Sequence, residues 1–307
     1  MTDAAPAGIR QDEAGAPAEW RDVLVTAQDG LRIHVRDYPG ESRHLPVVCL
    51  PGLTRNGRDF HELARFLSTH KDRPRRVLAV DFRGRGGSGY DPNWKNYTPS
   101  TELADVLDVL TACRVDAACF VGTSRGGLVT MLMAAARPSA LRAAILNDIG
   151  PEIEGRGLLR IKNLLSATRD PGSWEQATDT LRRAYEQQFP AVDDAGWASY
   201  TRKTFADRDG RPVRDFDPKL MKTLENVDFN QPLQTIWPQF DGLAKVPLMV
   251  VRGEHSDILS EKTLAGMTAR RTNTEVVIAE GSGHAPMLTE PDILGRIAAF
   301  IAAAEDR

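Results

Sequence analysis

The chain has 307 residues, of which 41% are apolar and 26% charged, and its formal net charge is −3. This composition is typical of a folded globular protein, and the small net charge gives no indication of a nucleic-acid partner. No apolar run approaches the roughly 18 residues that a membrane-spanning helix needs, so we expect no membrane segment.

The first twenty residues differ in composition from the remainder. Residues 1–20 are rich in alanine, aspartate, glutamate and glycine, and they lack the basic and apolar regions of a signal peptide. We therefore interpret them as a disordered N-terminal arm. The three cysteines have no metal-ligand spacing and lie in or beside apolar runs, which predicts buried reduced thiols in a cytoplasmic protein.

Strands and helices are predicted to alternate after the arm. Two short apolar runs around Asp29-Gly30 indicate an antiparallel hairpin. The alternation that follows favours a mostly parallel sheet with helices on both faces. Its predicted strands are 46–50, 77–81, 117–121 and 141–146, and its predicted helices are about 59–68, 98–113 and 128–136.

The alternation stops between residues 150 and 241. This segment has a helical, polar pattern without a good strand, and it holds ten of the chain's twenty aromatic residues. We predict a helical cap over 150–241, with some of its aromatic side chains lining a pocket. Strands at 246–251 and 275–279 and a helix over 292–303 then complete a core formed by 21–149 and 242–307.

A Gly-x-Ser-x-Gly motif over residues 122–126 marks the candidate nucleophile. It joins the predicted strand 117–121 to the predicted helix 128–136, which is the context that a nucleophile elbow requires. The tight turn needs neighbours without side chains, and Gly122 and Gly126 meet that need. Ser124 is therefore predicted to be the nucleophile.

A serine nucleophile needs a base, and the base needs an acid that orients it. Sites in open parallel sheets form at the carboxyl ends of strands. His284 follows the last strand in a Gly-Ser-Gly-His loop and is the predicted base, with His255 as a rival after the preceding strand. Asp257, after the strand 246–251, is the favoured acid, and Asp148, after the strand 141–146, is the alternative.

Two backbone N–H groups should hold the negative oxygen of the reaction intermediate. Arg125, directly after the serine, is predicted to supply one of them. The loop that follows the strand 46–50 is placed to supply the other, and Leu53 is the residue we expect.

A second glycine-rich stretch, residues 84–89, satisfies the Gly-x-Gly-x-x-Gly pattern of dinucleotide-binding proteins. That motif needs a helix opening inside the glycine loop, and here no helix is predicted before about Thr98. We therefore expect no nucleotide cofactor, and no cluster with metal-ligand spacing predicts a bound metal.

These motifs together resemble those of the α/β-hydrolase superfamily. The resemblance rests on Leu50-Pro51-Gly52-Leu53, the segment 81–88, the elbow at 122–126, and the loops 253–257 and 281–284. It implies an eight-stranded, mostly parallel sheet with an inserted helical cap. Many members carry His-Gly where this chain has Pro51-Gly52, so the oxyanion loop is expected to differ locally.

The resemblance implies esterase, enol-lactonase or carbon–carbon bond hydrolase chemistry on a small-molecule substrate. We predict a carboxylic-ester hydrolase for small or medium, largely apolar substrates. The alternatives are a hydrolase of enol lactones or vinylogous diketones, and a ligand-binding protein with vestigial turnover. Fold does not choose among these functions, and the sequence leaves a homodimer open.

Overall fold

An eight-stranded sheet forms the centre of the protein. The computed structural model describes residues 19–167, 170–225, 227–229 and 231–307. The strands of the sheet are β1 (Arg21–Thr26), β2 (Arg32–Tyr38), β3 (Val47–Leu50), β4 (Val77–Val80), β5 (Ala118–Thr123), β6 (Leu141–Asn147), β9 (Leu248–Gly253) and β10 (Glu275–Ala279). Two further strands, β7 (Phe205–Arg208) and β8 (Arg211–Arg214), pair with each other in a separate two-stranded sheet.

The sheet is mostly parallel. In the described part of the chain its strand order is β1-β2-β4-β3-β5-β6-β9-β10. The β1–β2 and β2–β4 pairs are antiparallel, and the other neighbours pair in parallel. The predicted fold class is confirmed.

Helices cover both faces of this sheet. Other helices belong to the segment between β6 and β9. The helices of the described residues are α1 (His61–Ser68), α2 (Pro99–Ala112), α3 (Arg125–Ala136), α4 (Gly155–Ala167), α5 (Trp174–Tyr185), α6 (Asp194–Thr204), α7 (Trp237–Asp241), α8 (Glu261–Arg270) and α9 (Pro291–Glu305). None of the helices in the described residues is both long and apolar enough to cross a membrane.

The central strands are continuous apolar runs because helices bury both faces of the sheet. Side chains alternate between the two faces of a strand, and in β3 both sets are buried. Val48 and Leu50 belong to the core under α2 and α3, whereas Val47 and Cys49 belong to the core under α1 and α9.

The three cysteines are buried and free, as predicted. Burial raises the pKa of the Cys119 thiol to about 12. Cys49 lies beside it and its thiol pKa is also raised by burial, so both side chains act as small apolar groups of the core.

The segment between β6 and β9 holds α4 to α7 and a two-stranded hairpin, β7–β8. The prediction that this segment lacks strands is therefore wrong for residues 205–214. Asp209 and Gly210 both have positive φ angles, 53° and 78°, as the tight turn of a two-residue hairpin requires. We keep the name cap for residues 150–241.

Residues 1–18 of the predicted arm lie outside the described residues. Trp20, which the sequence assigned to the arm, packs instead against the core. Its ring centroid lies 5.6 Å from that of Tyr38 and 5.5 Å from that of His61, and the Arg36 guanidinium lies 4.6 Å from its ring centroid. Trp20 therefore belongs to the packed core rather than to the arm.

A partly buried histidine joins the first strands to the loop after β4. His34 Nδ1 lies 2.8 Å from Asp81 Oδ2, and Nε2 lies 2.9 Å from Asp22 Oδ1. Asp81 also accepts the backbone N–H groups of Gly57 and Gly87. Only the imidazolium form of His34 donates to both carboxylates at once.

Burial lowers the pKa of His34, but the two carboxylates outweigh burial and raise it above 6.5. The stabilisation from this imidazolium is thus complete below pH 6.5 and is lost as the pH rises through the raised pKa. We expect His34→Gln to lower the free energy of unfolding by about 1 kcal/mol near pH 6, and by less above pH 8. Urea unfolding across this pH range measures the difference. His255→Gln, at a histidine that is 41% exposed, is the control, and an equal loss at both pH values for His34→Gln would contradict the prediction.

Candidate active site

The predicted nucleophile elbow is present between β5 and α3. Ser124 has φ 51° and ψ −110°, and its N–H donates to the carbonyl of Asn147 over 3.0 Å. A Cβ atom on Gly122 would lie 2.6 Å from the Gly126 carbonyl oxygen, and one on Gly126 would collide with the Leu50 carbonyl. The glycines are therefore required by the close approach of backbone to backbone, and the turn lifts Ser124 above the sheet.

His284 lies next to this serine, as the sequence predicted. It follows β10 in a loop that returns over the carboxyl ends of the strands. Its Nε2 is 3.0 Å from Ser124 Oγ, and its Nδ1 is 2.8 Å from Asp148 Oδ2. Its side chain is nearly buried, so the imidazole is held between the two groups.

Asp148 is the carboxylate that meets His284. It directly follows β6, is fully buried, and has a φ angle of 55°. Its Oδ1 accepts the N–H of Gly253 over 2.8 Å, and its Oδ2 accepts the hydroxyl of Ser256 over 2.6 Å. The residue that the sequence ranked second is thus in the position of the orienting acid.

Asp257, the favoured acid of the sequence analysis, is not brought to His284 by a hydrogen bond. Arg160 of α4 binds its carboxylate through two N–H groups, at 2.6 and 3.0 Å. Burial raises the pKa of Asp257, but Arg160 outweighs burial and lowers it below 3.8. The expectation for Asp257 is therefore corrected: the loop after β9 reaches the site through Ser256, and Asp257 pairs with the cap.

Both residues of the predicted oxyanion hole lie at Ser124. Arg125 is the first residue of α3, where the N–H groups of a helix point away from its body and are free to bind an anion. The loop after β3 approaches from the other side, since a Cβ atom on Gly52 would lie 3.9 Å from the Ser124 Cβ. Leu53 follows it and lines the same cavity as Ser124.

This cavity has a volume of about 280 Å³ and lies between the cap and the ends of the strands. Its apolar lining includes Leu53, Phe60, Ile161, Leu165 and Leu288. Two of the cap aromatics, Tyr185 and Tyr200, line it as well, whereas Trp197 and Phe205 are buried within the cap.

Two ion pairs form a polar side of the cavity. Arg55 binds Asp59 through Nε at 2.7 Å and NH2 at 2.5 Å, and Lys203 of the cap binds Glu62 at 2.6 Å. The Arg55 guanidinium also lies 4.5 Å from the Tyr200 ring centroid. The sequence pattern did not mark Asp59 and Glu62, because charged positions on a predicted amphipathic helix are ordinarily solvent-facing.

The glycines of residues 84–89 pack against protein groups. A Cβ atom on Gly84 would lie 2.6 Å from the Tyr97 ring, and one on Gly86 would collide with the Asp81 carboxylate. Their close approach to side chains accounts for the glycines without a phosphate. In the described ranges no three His, Cys, Asp or Glu residues are grouped as metal ligands. The absence of a cofactor and of a metal remains a prediction.

Comparison with known proteins agrees with this geometry. A profile of the alpha/beta hydrolase family matches residues 47–296, which include the elbow, Asp148 and His284. The chain belongs to the α/β-hydrolase family. A solved α/β-hydrolase from Novosphingobium aromaticivorans has 39% sequence identity and a TM-score of 0.82, covering 94% of this chain and 99% of its own.

Two curated relatives of this α/β-hydrolase are similar over most of their length. The 3-hydroxybutyrate-oligomer hydrolase of Cupriavidus necator is 28% identical over 267 residues, which are 80% of this chain and 84% of that protein. Esterase YbfF of Escherichia coli is 24% identical over 276 residues, which are 87% of this chain and 97% of that protein.

Proposed function

We propose that the protein hydrolyses carboxylic esters through an acyl-enzyme on Ser124. The observation that carries this proposal is the hydrogen-bonded chain from Ser124 Oγ through His284 to Asp148, at the wall of a cavity large enough for a small ligand. A serine, histidine and aspartate in this order are recognised by geometry and role. The esterase and oligomer hydrolase among the relatives support the same reaction class.

In the first half of the reaction, Ser124 Oγ attacks the ester carbonyl carbon while His284 Nε2 takes the hydroxyl proton. The carbonyl oxygen becomes negative and accepts the N–H groups of Leu53 and Arg125. The carbon–oxygen bond to the alcohol then breaks, and His284 gives its proton to the leaving oxygen. In the second half, water attacks the acyl group with His284 again as base, which releases the acid and restores Ser124.

Asp148 stabilises the positive His284 during both halves. Its carboxylate accepts hydrogen bonds from Gly253 N–H, Ser256 hydroxyl and His284 Nδ1. These donors hold the carboxylate in one orientation, so His284 keeps Nε2 free to accept the serine proton. Because Asp148 is fully buried, its interaction with the imidazolium is little weakened by water.

The cavity favours a small or medium substrate. Its volume of about 280 Å³ is near the lower end of the roughly 300–1,000 Å³ found for small-molecule sites. The apolar lining suits an acyl chain, and the ion pairs Arg55–Asp59 and Glu62–Lys203 offer donors and acceptors to a second polar group. A short hydroxyacid ester, the kind of substrate named for the Cupriavidus relative, has both features.

Turnover of a p-nitrophenyl ester series tests the reaction. We expect multiple turnovers that fall as the acyl chain outgrows the cavity, and labelling of Ser124 by a fluorophosphonate. Ser124→Ala should lose the label and keep its fold, with a residual rate of roughly 10³ over water from binding and the oxyanion hole. Full activity of Ser124→Ala would end the assignment.

The same series separates the alternative functions. A ligand-binding protein with vestigial turnover would be acylated once, and p-nitrophenol release would stop at one equivalent. An enol-lactone or carbon–carbon bond hydrolase would turn over an enol lactone or a vinylogous diketone faster than any simple ester. Either result would replace the ester hydrolase proposal.

The two aspartates give a ranked prediction. Asp148→Asn should lower turnover by about 10³ to 10⁴, because the amide keeps the shape but holds the wrong imidazole tautomer. Asp257→Asn should lower turnover by roughly tenfold or less, about 1.4 kcal/mol, because its main partner is Arg160 and it has no hydrogen bond to His284. Steady-state kinetics on one ester, with melting temperatures of both variants as the folding control, measures this ranking. The reverse ranking would assign the acid to Asp257.

A further inference from the structure

A buried carboxylate of α2, next to the first residue of α3, lies between two arginines. Glu102 of α2 has no exposed side-chain area, and neither has Arg85 of the loop after β4. Arg85 NH1 lies 2.9 Å from Glu102 Oε1, and Arg125 Nε donates to Glu102 Oε2 over 2.6 Å. Burial raises the pKa of Glu102, but the two arginines outweigh burial and hold it below 4.5, so the carboxylate is charged.

Each of the two arginines also connects Glu102 to one side of the proposed oxyanion hole. Arg125 is itself the residue whose N–H we assign to the hole, and its guanidinium is also held by the Tyr97 carbonyl over 2.9 Å. Arg85 Nε donates to the Leu53 carbonyl over 2.7 Å, and its NH1 donates to the Arg83 carbonyl over 2.6 Å. Glu102 therefore joins the start of α3 to the loop after β3 through a single carboxylate.

These two segments are far apart in the chain. The contact of Gly126 with Leu50 holds the start of α3 against the end of β3, but Leu53 lies three residues beyond Leu50, in the loop that Arg85 holds. An oxyanion donor contributes only if it lies at hydrogen-bond distance from the oxygen as charge develops, and a displacement of about 1 Å costs on the order of 10²-fold in rate. A buried ion pair is costly to form, so its use at this place suggests a role in orientation more than in stability.

We propose that Glu102 is a positioning residue that sets the separation of the Leu53 and Arg125 N–H groups. This inference rests on the proposed ester hydrolase function. It predicts that loss of the Glu102 carboxylate weakens binding of the negative oxygen in the transition state and leaves ground-state binding of the ester nearly unchanged.

The chain offers a matched control one turn further along α2. Asp105 is likewise buried and binds a buried arginine, Arg83, through two N–H groups at 2.7 and 2.6 Å. Arg83 keeps Asp29 and Asp91 as further partners. Glu102→Gln and Asp105→Asn thus each remove a buried carboxylate that binds an arginine, but only Glu102 joins the two segments of the oxyanion hole.

The experiment compares wild type, Glu102→Gln and Asp105→Asn on one p-nitrophenyl ester and with a trifluoromethyl ketone, which forms a negative tetrahedral adduct with the serine. For Glu102→Gln we expect kcat to fall about 10- to 100-fold, KM to change less than threefold, and the ketone inhibition constant to rise by the same factor as kcat/KM falls. Asp105→Asn should keep kcat and the inhibition constant within about threefold, whatever its melting temperature.

If Glu102→Gln does not fold, Arg125→Ala tests the same proposal. It keeps the peptide N–H of residue 125 and the Arg85–Glu102 pair, and it should weaken ketone binding in the same way. Unchanged kcat and ketone binding in the folded variants, or equal losses in Asp105→Asn, would overturn the positioning role alone. A rise in kcat for Glu102→Gln would also overturn the positioning role. It would mean that the negative charge of Glu102 acts on the transition state by electrostatic repulsion and not by holding the two N–H groups. A wild type that is neither labelled by fluorophosphonate nor active on esters would overturn the proposed function and, with it, this inference.

Discussion

The contact of backbone against backbone at the elbow is the constraint on which the site depends. Gly126 lies so close to the Leu50 carbonyl, and Gly122 so close to Gly126, that neither position accepts a side chain. This contact fixes the start of α3 relative to the ends of β3 and β5, and it holds Ser124 at a positive φ angle. The strained turn at Ser124 is supported by α3 and by the central strands, which are buried on both faces.

Features that depend on such local backbone constraints were predictable from the sequence. The elbow, the position of His284 after the last strand, and the mostly parallel sheet each follow from spacing, glycine placement and apolar periodicity. The structure brings Asp148 rather than Asp257 to His284, and the sequence did not show this because the position depends on strand order, which the chain order does not reveal. β6 is the neighbour of β5, so Asp148 follows the strand next to the elbow, while Asp257 follows β9 one strand further away. Its partner, Arg160, comes from the cap, nearly one hundred residues earlier in the chain.

The other differences have the same kind of cause. The strands β7 and β8 are four residues long and rich in charged side chains, so apolar alternation does not mark them, and the turn at Asp209-Gly210 was their only local signal. Trp20 looked like part of a polar arm because the rings it packs against, Tyr38 and His61, lie on other elements. Tertiary contacts decide such positions, and one-dimensional patterns do not contain them.

The segment from Leu53 to Glu62 links chemistry to substrate selection. It begins with the proposed oxyanion donor Leu53 and lines the cavity through Arg55, Asp59 and Glu62. Its polar side chains also bind the cap: Asn56 and Arg58 donate to Asp215, and Glu62 binds Lys203. Glu102 and Arg85 hold the start of this segment from the core side, while the cap holds its remainder. One short stretch of chain thus contacts both the cap and the Glu102–Arg85 pair, so the residues that line the cavity and the proposed oxyanion donor belong to the same segment.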